Sequence, residues 1–289
     1  MDKKILFTDY CDNLDIKVNG LLVHSKFSNT SLERLSNDKV LEAIELIHSN
    51  DMCALVSMDR LIEEDELKEL KDLIDLIIRD CDYILYSDYA VYNYIYEKYN
   101  GFGGKLIYNP RTLVCNIYEF NHLETSAIVS NELTLDAIKD INDYFNPNLK
   151  KYLGIKVFGF HQMFYSKREL ISAYNDYFNK DIKKNKFYDL KEENRNDFDK
   201  IIETDFGTLI FYGKPLVIYN ELKELDEFKF FYINSELFDL EKIKIVCDCF
   251  YELLFNDNNK YDQLISIVPN FSKGFLDKNT VLIKGDDDE

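Results

Sequence analysis

The sequence predicts an α/β fold: a modified or incomplete (β/α) TIM-like barrel with a small C-terminal α+β extension. Short β-rich runs alternate with amphipathic segments. Successive strands begin about 20 to 30 residues apart, which is the rhythm of βαβ units in a parallel sheet. An open doubly wound sheet has the same rhythm. The sequence lacks the glycine-rich phosphate-binding motifs that many open sheets carry, and this favours the barrel.

Six short runs rich in aliphatic and aromatic residues predict the first strands. The cluster Gly101–Gly104 precedes one of these runs rather than following it, so we expect a turn there and not a phosphate-binding loop. The predicted strands are Gly20–Val23, Cys53–Met58, Tyr83–Tyr86, Lys105–Tyr108, Ala127–Val129 and Ile155–Phe158.

Two of the segments between these strands predict amphipathic helices. Glu64–Asp80 repeats apolar residues every three or four positions, which gives a helix one buried face. Leu133–Tyr144 has the same pattern, with Thr134 as the expected N-cap and Asp136 in the first turn. Helices of this kind connect parallel strands through right-handed crossovers.

The chain divides into a barrel-like domain at residues 1–180, a charged connection at 181–200 and a segment at 201–285 that completes the domain. The connection is poor in aliphatic residues, as exposed loops are. Residues 286–289 form an acidic tail. The completing segment contains three predicted strands and one predicted helix, at Thr208–Tyr212, Leu216–Tyr219, Phe230–Ile233 and Asp239–Phe255.

The net charge narrows the classes of partner. The chain has 53 acidic and 35 basic residues, for a net charge of −18, whereas a stand-alone nucleic-acid binder is typically basic. A local basic groove or a basic partner remains compatible with this charge. No apolar run reaches the roughly 18 residues that a membrane helix requires, and no signal peptide is visible. We therefore expect a cytoplasmic protein that binds neither membranes nor DNA.

Four of the six cysteines lie alone in or beside apolar runs and predict small buried side chains. We expect all six to be reduced, because a disulfide framework is improbable in a chain of this size. Cys247 and Cys249 are too close in sequence for the usual spacing of zinc ligands, and the four histidines show no such spacing either. We therefore expect no metal site.

Polar residues follow the predicted strands where each strand ends, which is the edge at which parallel barrels carry their chemistry. Glu132 and His161 are the candidate catalytic residues, because neither is a preferred helix cap and histidine can exchange a proton near neutral pH. Ser166, Lys167 and Arg168 lie just beyond, where two cations suit a carboxylate or a phosphate. The candidate substrate-binding residues at the strand ends are Asp59, Asp88, Asn109 and Asn131.

Several segments, in order along the chain, resemble peptidase family U32, the collagenase-like protease family. Residues 129–138 are similar to the family's SRELSL-x-x-I signature, and residues 157–168 to its V-H-G-x-x-C-x-x-x-S-x-R stretch. Three further elements resemble its T-N asparagine, its R…E-D-x-x-G-T segment and its terminal N-x-G-F. They are Asn116, Arg195 with residues 203–208, and residues 270–275.

The resemblance implies a modified (β/α) barrel and a substrate-binding role for Asn116 and Arg195. Members are described as proteases or as proteins of RNA and ubiquinone hydroxylation, including the 5-hydroxylation of the tRNA wobble uridine. In several bacteria a shorter member is paired with a longer one that carries an iron–sulfur cluster, and this chain is most similar to the shorter. Cluster-bearing members have cysteines where this chain has Gln162 and Glu169, so we expect no cofactor.

Three functions remain open. The first is that of an accessory subunit in tRNA wobble-uridine 5-hydroxylation, which works with the longer paralogue and reaches tRNA through the complex. The second is that of a collagenase-like peptidase, although no nucleophile–base pair is visible. The third is that of a degenerate barrel that binds a small anionic metabolite or a protein partner, because Asn131 and Phe158 replace the Arg and His of the family signatures. Local basic contributions to RNA binding would come from Lys105, Arg111, Lys167 and Arg168.

Overall fold

The computed structural model describes residues 4–12, 14–191, 193 and 198–277. Within them, eight parallel strands form a closed barrel with helices between the strands, so the predicted fold class is confirmed. The barrel closes because its last strand pairs with both its first and its seventh. The strands of the whole sheet are β1 (Ile5–Asp9), β2 (Gly20–His24), β3 (Cys53–Met58), β4 (Tyr83–Tyr86), β5 (Leu106–Tyr108), β6 (Ser126–Ile128), β7 (Leu153–Ser166), β8 (Tyr188–Lys191), β9 (Phe198–Thr204), β10 (Gly207–Val217) and β11 (Phe228–Ile233).

Most of the helices pack around the barrel. In the described part of the chain they are α1 (Asn37–Ser49), α2 (Leu67–Ile77), α3 (Tyr89–Lys98), α4 (Ile117–His122), α5 (Leu135–Asp143), α6 (Leu170–Phe178), α7 (Leu240–Asn256) and α8 (Tyr261–Ile267). Helix α2 buries the apolar stripe that its periodicity predicts. Thr134 caps α5 by accepting a hydrogen bond from the N–H of Ala137, as predicted.

Apolar side chains fill the barrel, so its interior is a packed core and not a channel. Strand β7 contributes Gly154 at the level of these side chains, because there is no room for a larger residue. A Cβ atom at this position would lie 2.5 Å from Cδ1 of Ile128 and 2.9 Å from Cβ of Phe230. The other strands provide the core side chains, which are Phe7, Leu22, Leu55, Leu85, Ile107, Ile128, Phe230 and Tyr232. This plug leaves only the ends of the barrel for binding.

Strand β7 is longer than its neighbours and carries the chain out of the barrel. Its first half pairs in parallel with β6 and β11, and its second half pairs in an antiparallel manner with β10, which leads to β9 and β8. Gly159 stands at the change, with φ of 114° and with the carbonyl oxygen of Asn234 only 2.4 Å from where a Cβ would lie. We call β7 beyond Gly159, α6 and β8–β10 the antiparallel extension. It has its own small core of Ile202, Leu209 and Phe211.

The order of elements along the chain differs from the expectation in two respects. Strand β1 precedes every strand that the sequence predicted. The antiparallel extension is an insertion between β7 and β11 rather than a C-terminal addition, and the predicted connection at 181–200 includes β8 and the start of β9. The acidic tail at 286–289 lies outside the described residues. Among the described residues, no helix has both the length and the apolar character needed to cross a membrane.

Candidate functional site

The carboxyl ends of the barrel strands converge on one polar mouth. Four of the predicted site residues line its cavity: Asp59, Asn109, Asn131 and His161. The cavity is narrow, with a volume of about 30 Å³, which is enough for one or two water molecules. The remaining polar side chains around it are His24, Asn29, Thr30, Ser57, Arg111, Lys156, Gln162, Tyr232, Asn234 and Glu236.

The guanidinium of Arg111 organises one side of the mouth. Its Nη2 donates to the Asp59 carboxylate at 2.9 Å and to the backbone carbonyl of Asn29 at 2.7 Å, and its Nη1 donates to Oε1 of Gln162 at 2.7 Å. Burial opposes its charge, but Asp59 and Glu236 outweigh this and raise the pKa of Arg111. Arg111 also has φ of 70°, an uncommon conformation outside glycine. Backbone strain of this kind tends to occur at functional sites.

Asp59, which follows β3, is held from several directions. Its Oδ1 accepts hydrogen bonds from the Ser57 hydroxyl at 2.6 Å and from the backbone N–H of Asn29 at 3.0 Å. Its Oδ2 accepts from Arg111, and the amide of Asn109 lies 3.5 Å from the same oxygen. Asp59 therefore positions the cation of Arg111, and Asn109 supports it.

A second buried carboxylate, that of Asp9, lies at the end of β1. It forms hydrogen bonds with Nε2 of His24 at 2.9 Å and with the Tyr232 hydroxyl at 2.6 Å, and it accepts from the N–H and hydroxyl of Ser235. Burial would raise the pKa of Asp9, but these partners, His24 foremost, lower it overall. Asp9 thus stays ionised and links β1, β2 and β11 at the mouth.

The third buried carboxylate belongs to Glu236, three residues beyond β11. Its Oε1 accepts from the hydroxyls of Thr30 and Ser31 at 3.0 and 2.8 Å, and its Oε2 accepts from the amide of Asn234 at 3.1 Å. These contacts tie the loop after β2 to the end of β11.

Lys156 lies on β7 within the mouth and is the least compensated charge there. Its Nζ donates to the carbonyl oxygen of Phe160 at 2.5 Å, and no described carboxylate forms an ion pair with it. Burial, together with the nearby charge of Arg111, lowers the pKa of Lys156 to about 7. In a large fraction of the molecules Lys156 is therefore a neutral amine at physiological pH. A bound anion would favour the ammonium form.

The predicted catalytic residues are neighbours at the edge of the mouth. Oε1 of Glu132 lies 3.9 Å from Nε2 of His161, whose side chain is 15% exposed. Burial, with the charges of Lys156 and Arg111, lowers the pKa of His161 to about 4. The ring is therefore neutral at pH 7 and is a weak proton acceptor. No described Ser, Thr or Cys side chain forms a hydrogen bond with this ring.

Five buried polar atoms around the cavity have no hydrogen-bond partner among the described residues. They are Nδ1 of His24, Nε of Arg111 and Oδ1 of Asn29, Asn131 and Asn234. Buried polar atoms are normally paired, so these atoms can bind a molecule that offers both hydrogen-bond donors and acceptors.

A surface groove of about 210 Å³ runs outward from the mouth. It shares Arg111 and Asp59 with the cavity and has apolar walls that include Leu61, Met163 and Phe164. All three wall residues are substantially exposed. The groove gives larger ligands a path to the polar groups of the mouth.

Other predicted site residues lie away from the cavity lining. Asp88 and Asn116 serve as N-caps of α3 and α4 and accept hydrogen bonds from backbone N–H groups of those helices. Lys167 forms an ion pair with Glu63 at 2.6 Å. The hydroxyl of Ser166 accepts from the N–H of Arg168, whose side chain is exposed. Arg195 lies outside the described residues.

The family resemblance implies cluster cysteines at the positions of Gln162 and Glu169, and the residues present there do not fit an iron–sulfur cluster. Gln162 is buried and accepts its hydrogen bond from Arg111, whereas Glu169 is exposed and pairs with Lys184 at 2.7 Å. Neither side chain supplies a thiolate, which such clusters require. Burial also raises the pKa of Cys81 to about 12 and that of Cys249 to about 11, so these thiols stay protonated. Among the described residues, no group of His, Cys, Asp and Glu is arranged to hold a metal ion.

Sequence reasoning missed Asp9, His24, Lys156 and Glu236. Asp9 and Glu236 carry the same signal as Asp59, an acidic residue at or just after a strand. Asp9 was missed because β1 was not predicted, whereas Glu236 was missed although it lies three residues beyond the predicted strand Phe230–Ile233. Lys156 could not be found in this way because it lies inside a strand, where only the tertiary structure shows which way it faces.

Three comparisons place this chain beside known proteins. The sequence model of peptidase family U32 matches residues 25–278. The tRNA hydroxylation protein P2 of Bacillus subtilis (strain 168) is 27% identical over 200 residues, which cover 66% of this chain and 63% of that protein. The solved structure of the U32 peptidase Mk0906 is similar over 81% of this chain and 93% of its own, with a TM-score of 0.48 and 9% identity.

Proposed function

Because this chain belongs to peptidase family U32, we propose that it is an accessory subunit in the 5-hydroxylation of the tRNA wobble uridine, working in the cytoplasm with a longer, cluster-bearing paralogue. The observation that carries the proposal is the similarity to a protein named for tRNA hydroxylation, which extends across 66% of the chain. The matched region spans only 63% of that relative.

The chemistry of the mouth favours the role of an accessory subunit over independent catalysis. Gln162 and Glu169 replace the thiolates that would hold a cluster, and the pKa of His161, about 4, is poorly matched to general acid–base work near neutrality. The same features disfavour the peptidase, since the described residues around His161 include no hydrogen-bonded nucleophile.

A clean deletion of the gene tests the proposal directly. We expect loss of 5-hydroxyuridine from the tRNA pool, measured by mass spectrometry of nucleosides, and restoration by the wild-type gene. An affinity-tagged chain should co-purify with a longer U32 paralogue. Unchanged 5-hydroxyuridine in the deletion strain would contradict the proposed function.

A specific observation also favours a second role, the binding of a small anionic metabolite at the mouth. Lys156 lacks a described carboxylate partner, and Nε of Arg111 has no hydrogen-bond partner among the described residues, so both groups can donate to an anion. A ligand that binds only the folded state raises the melting temperature. We expect a panel of small carboxylates to include one that stabilises the wild type but not Lys156→Met. Equal shifts for both proteins would argue against this role.

A further inference from the structure

Helix α6 and the loop after it place exposed aromatic rings beside exposed lysines. The surface consists of exposed rings on the helix and exposed lysines on the loop, and we call it the lysine–aromatic surface. Its members are Tyr174, Tyr177, Phe178, Lys180, Lys183 and Lys186.

The rings form a contiguous exposed cluster. The centroid of Phe178 lies 4.6 Å from that of Tyr174 and 4.7 Å from that of Tyr177. Tyr177 is 80% exposed, and Ile171 is the only residue of α6 that is buried. Contiguous exposed apolar side chains of this kind are a feature of surfaces that bind a partner.

The loop concentrates positive charge beside these rings. Residues 180–186 contain four lysines and one aspartate, in a chain whose net charge is −18. Lys180, Lys183 and Lys186 are exposed and form no ion pair with a described carboxylate. The fourth, Lys184, is paired with Glu169 and is the anchor of the loop.

The loop is held along the helix, so the lysines and the rings share one surface. The amide of Asn175 exchanges two hydrogen bonds with the backbone of Ile182, at 2.7 and 3.0 Å. Lys184 then reaches Glu169 at the start of α6. Next, the N–H of Asn185 donates to the carbonyl oxygen of Glu203 at 2.7 Å.

We infer that the lysine–aromatic surface binds single-stranded RNA, such as the loop of a tRNA; this inference rests on the proposed function and deepens it. Exposed rings stack on bases whatever their identity, and nearby cations contact the phosphates. The rings alone would also suit a protein partner, but the lysines favour RNA, because lysine is depleted in protein–protein interfaces whereas it contacts phosphates readily. The surface also gives this acidic chain an RNA contact of its own.

The test of the charges uses the full chain and a synthetic anticodon stem–loop RNA with uridine at the wobble position. Fluorescence anisotropy gives Kd at several salt concentrations. We expect Lys183→Glu/Lys186→Glu to weaken binding at least about tenfold and to lower the salt dependence by about two released counterions. The control, Lys150→Glu/Lys223→Glu, makes the same change in net charge at exposed lysines outside the surface and should bind as the wild type does.

The test of the rings uses two tyrosines of nearly equal exposure. Tyr177→Ala should weaken binding about 5- to 150-fold, the effect of losing one base stack. Tyr118, on α4, is 78% exposed, and Tyr118→Ala should leave Kd unchanged. Circular dichroism of each variant verifies that the fold is retained.

Three results would overturn the inference. The first is that the wild-type chain does not bind the RNA. The second is that the surface variants and their controls lose the same amount of RNA affinity. The third is that the surface variants keep their RNA affinity but no longer co-purify with the longer paralogue. The last would assign the surface to a protein partner. RNA binding that depends on the surface, together with unchanged 5-hydroxyuridine in the deletion strain, would uphold the inference while rejecting the proposed function.

Discussion

At the scale of single residues, the mouth of the barrel contains buried ionisable groups, some with a partner of opposite charge and some without. Arg111 is compensated by Asp59, whereas Lys156 and His161 are held in surroundings that disfavour their protonated forms. Such groups lower stability in a pH-dependent way, and natural proteins retain them mainly where they serve function. Two predictions follow from the sign of these shifts.

Lys156→Met should stabilise the protein near neutral pH. Lysine in the unfolded chain has its ordinary pKa of about 10.4, above the value of about 7 in the folded protein. Between these two pH values the unfolded state binds more protons than the folded state. The free-energy cost of burying Lys156 therefore grows as the pH falls from about 10.4 and is largest below about pH 7. We expect a gain of roughly 1–4 kcal/mol at pH 6–7 that disappears towards pH 10. Urea unfolding measures it; a variant less stable than the wild type at pH 6 contradicts the prediction.

His161→Gln should reduce the loss of stability in acid. As the pH falls from 6.5 towards 4, histidine in the unfolded chain becomes protonated, whereas His161 in the folded protein stays neutral because its pKa is about 4. The wild type should therefore lose about 1–3 kcal/mol more than the variant across this window. Denaturant midpoints at intervals between pH 7 and 4 measure the difference. His122→Gln, at an exposed position, should keep the wild-type dependence; parallel curves for all three proteins would refute the expectation.

At the scale of elements, β7 is the strand on which the molecule is organised. Its first half is part of the barrel and carries Lys156. Its second half carries His161 and Gln162 and is the first strand of the antiparallel extension. Gly159 permits the change by adopting φ of 114° against the backbone of Asn234. The strand thus connects the mouth with the lysine–aromatic surface.

Gly159→Ala should destabilise the protein by about 2–4 kcal/mol. A Cβ at this position meets the backbone oxygen of Asn234 at 2.4 Å, and positive φ adds strain of about 1–2 kcal/mol. Gly103→Ala is the matched control, because nothing lies within 4 Å of its Cβ. Chemical denaturation of both variants measures the effect, and equal stabilities would show that β7 can relax around the methyl group.

At the scale of the whole molecule, barrel closure joins the two ends of the described chain. Strand β11 lies between β1 and β7, and the hydroxyl of Thr8 donates to the carbonyl oxygen of Ile233 at 2.8 Å. A fragment of residues 1–180 would leave the edges of β1 and β7 unpaired. We expect no cooperative thermal transition for that fragment, as followed by circular dichroism. A chain ending at Asp277 keeps every described element and should unfold in one transition; a fragment 1–180 that does the same would contradict this view of the fold.

The sequence by itself determined the class of fold, the strands from β2 to β7 and the edge on which Asp59, Asn109, Asn131 and His161 meet. These depend on local periodicity and on the right-handed crossover, which are properties of consecutive residues. It also determined the family through ordered motifs.

Only the tertiary structure decided which strand closes the barrel, that Asp9 and Glu236 join the site, and that Arg111 bridges Asp59 and Gln162. Each of these depends on contacts between residues far apart in sequence, 225 positions in the case of Thr8 and Ile233. The direction of a side chain inside a strand, and the pKa that burial gives it, follow from such contacts and not from local pattern. For that reason Lys156, the most strongly perturbed amine of the mouth, was visible only once the chain had closed around it.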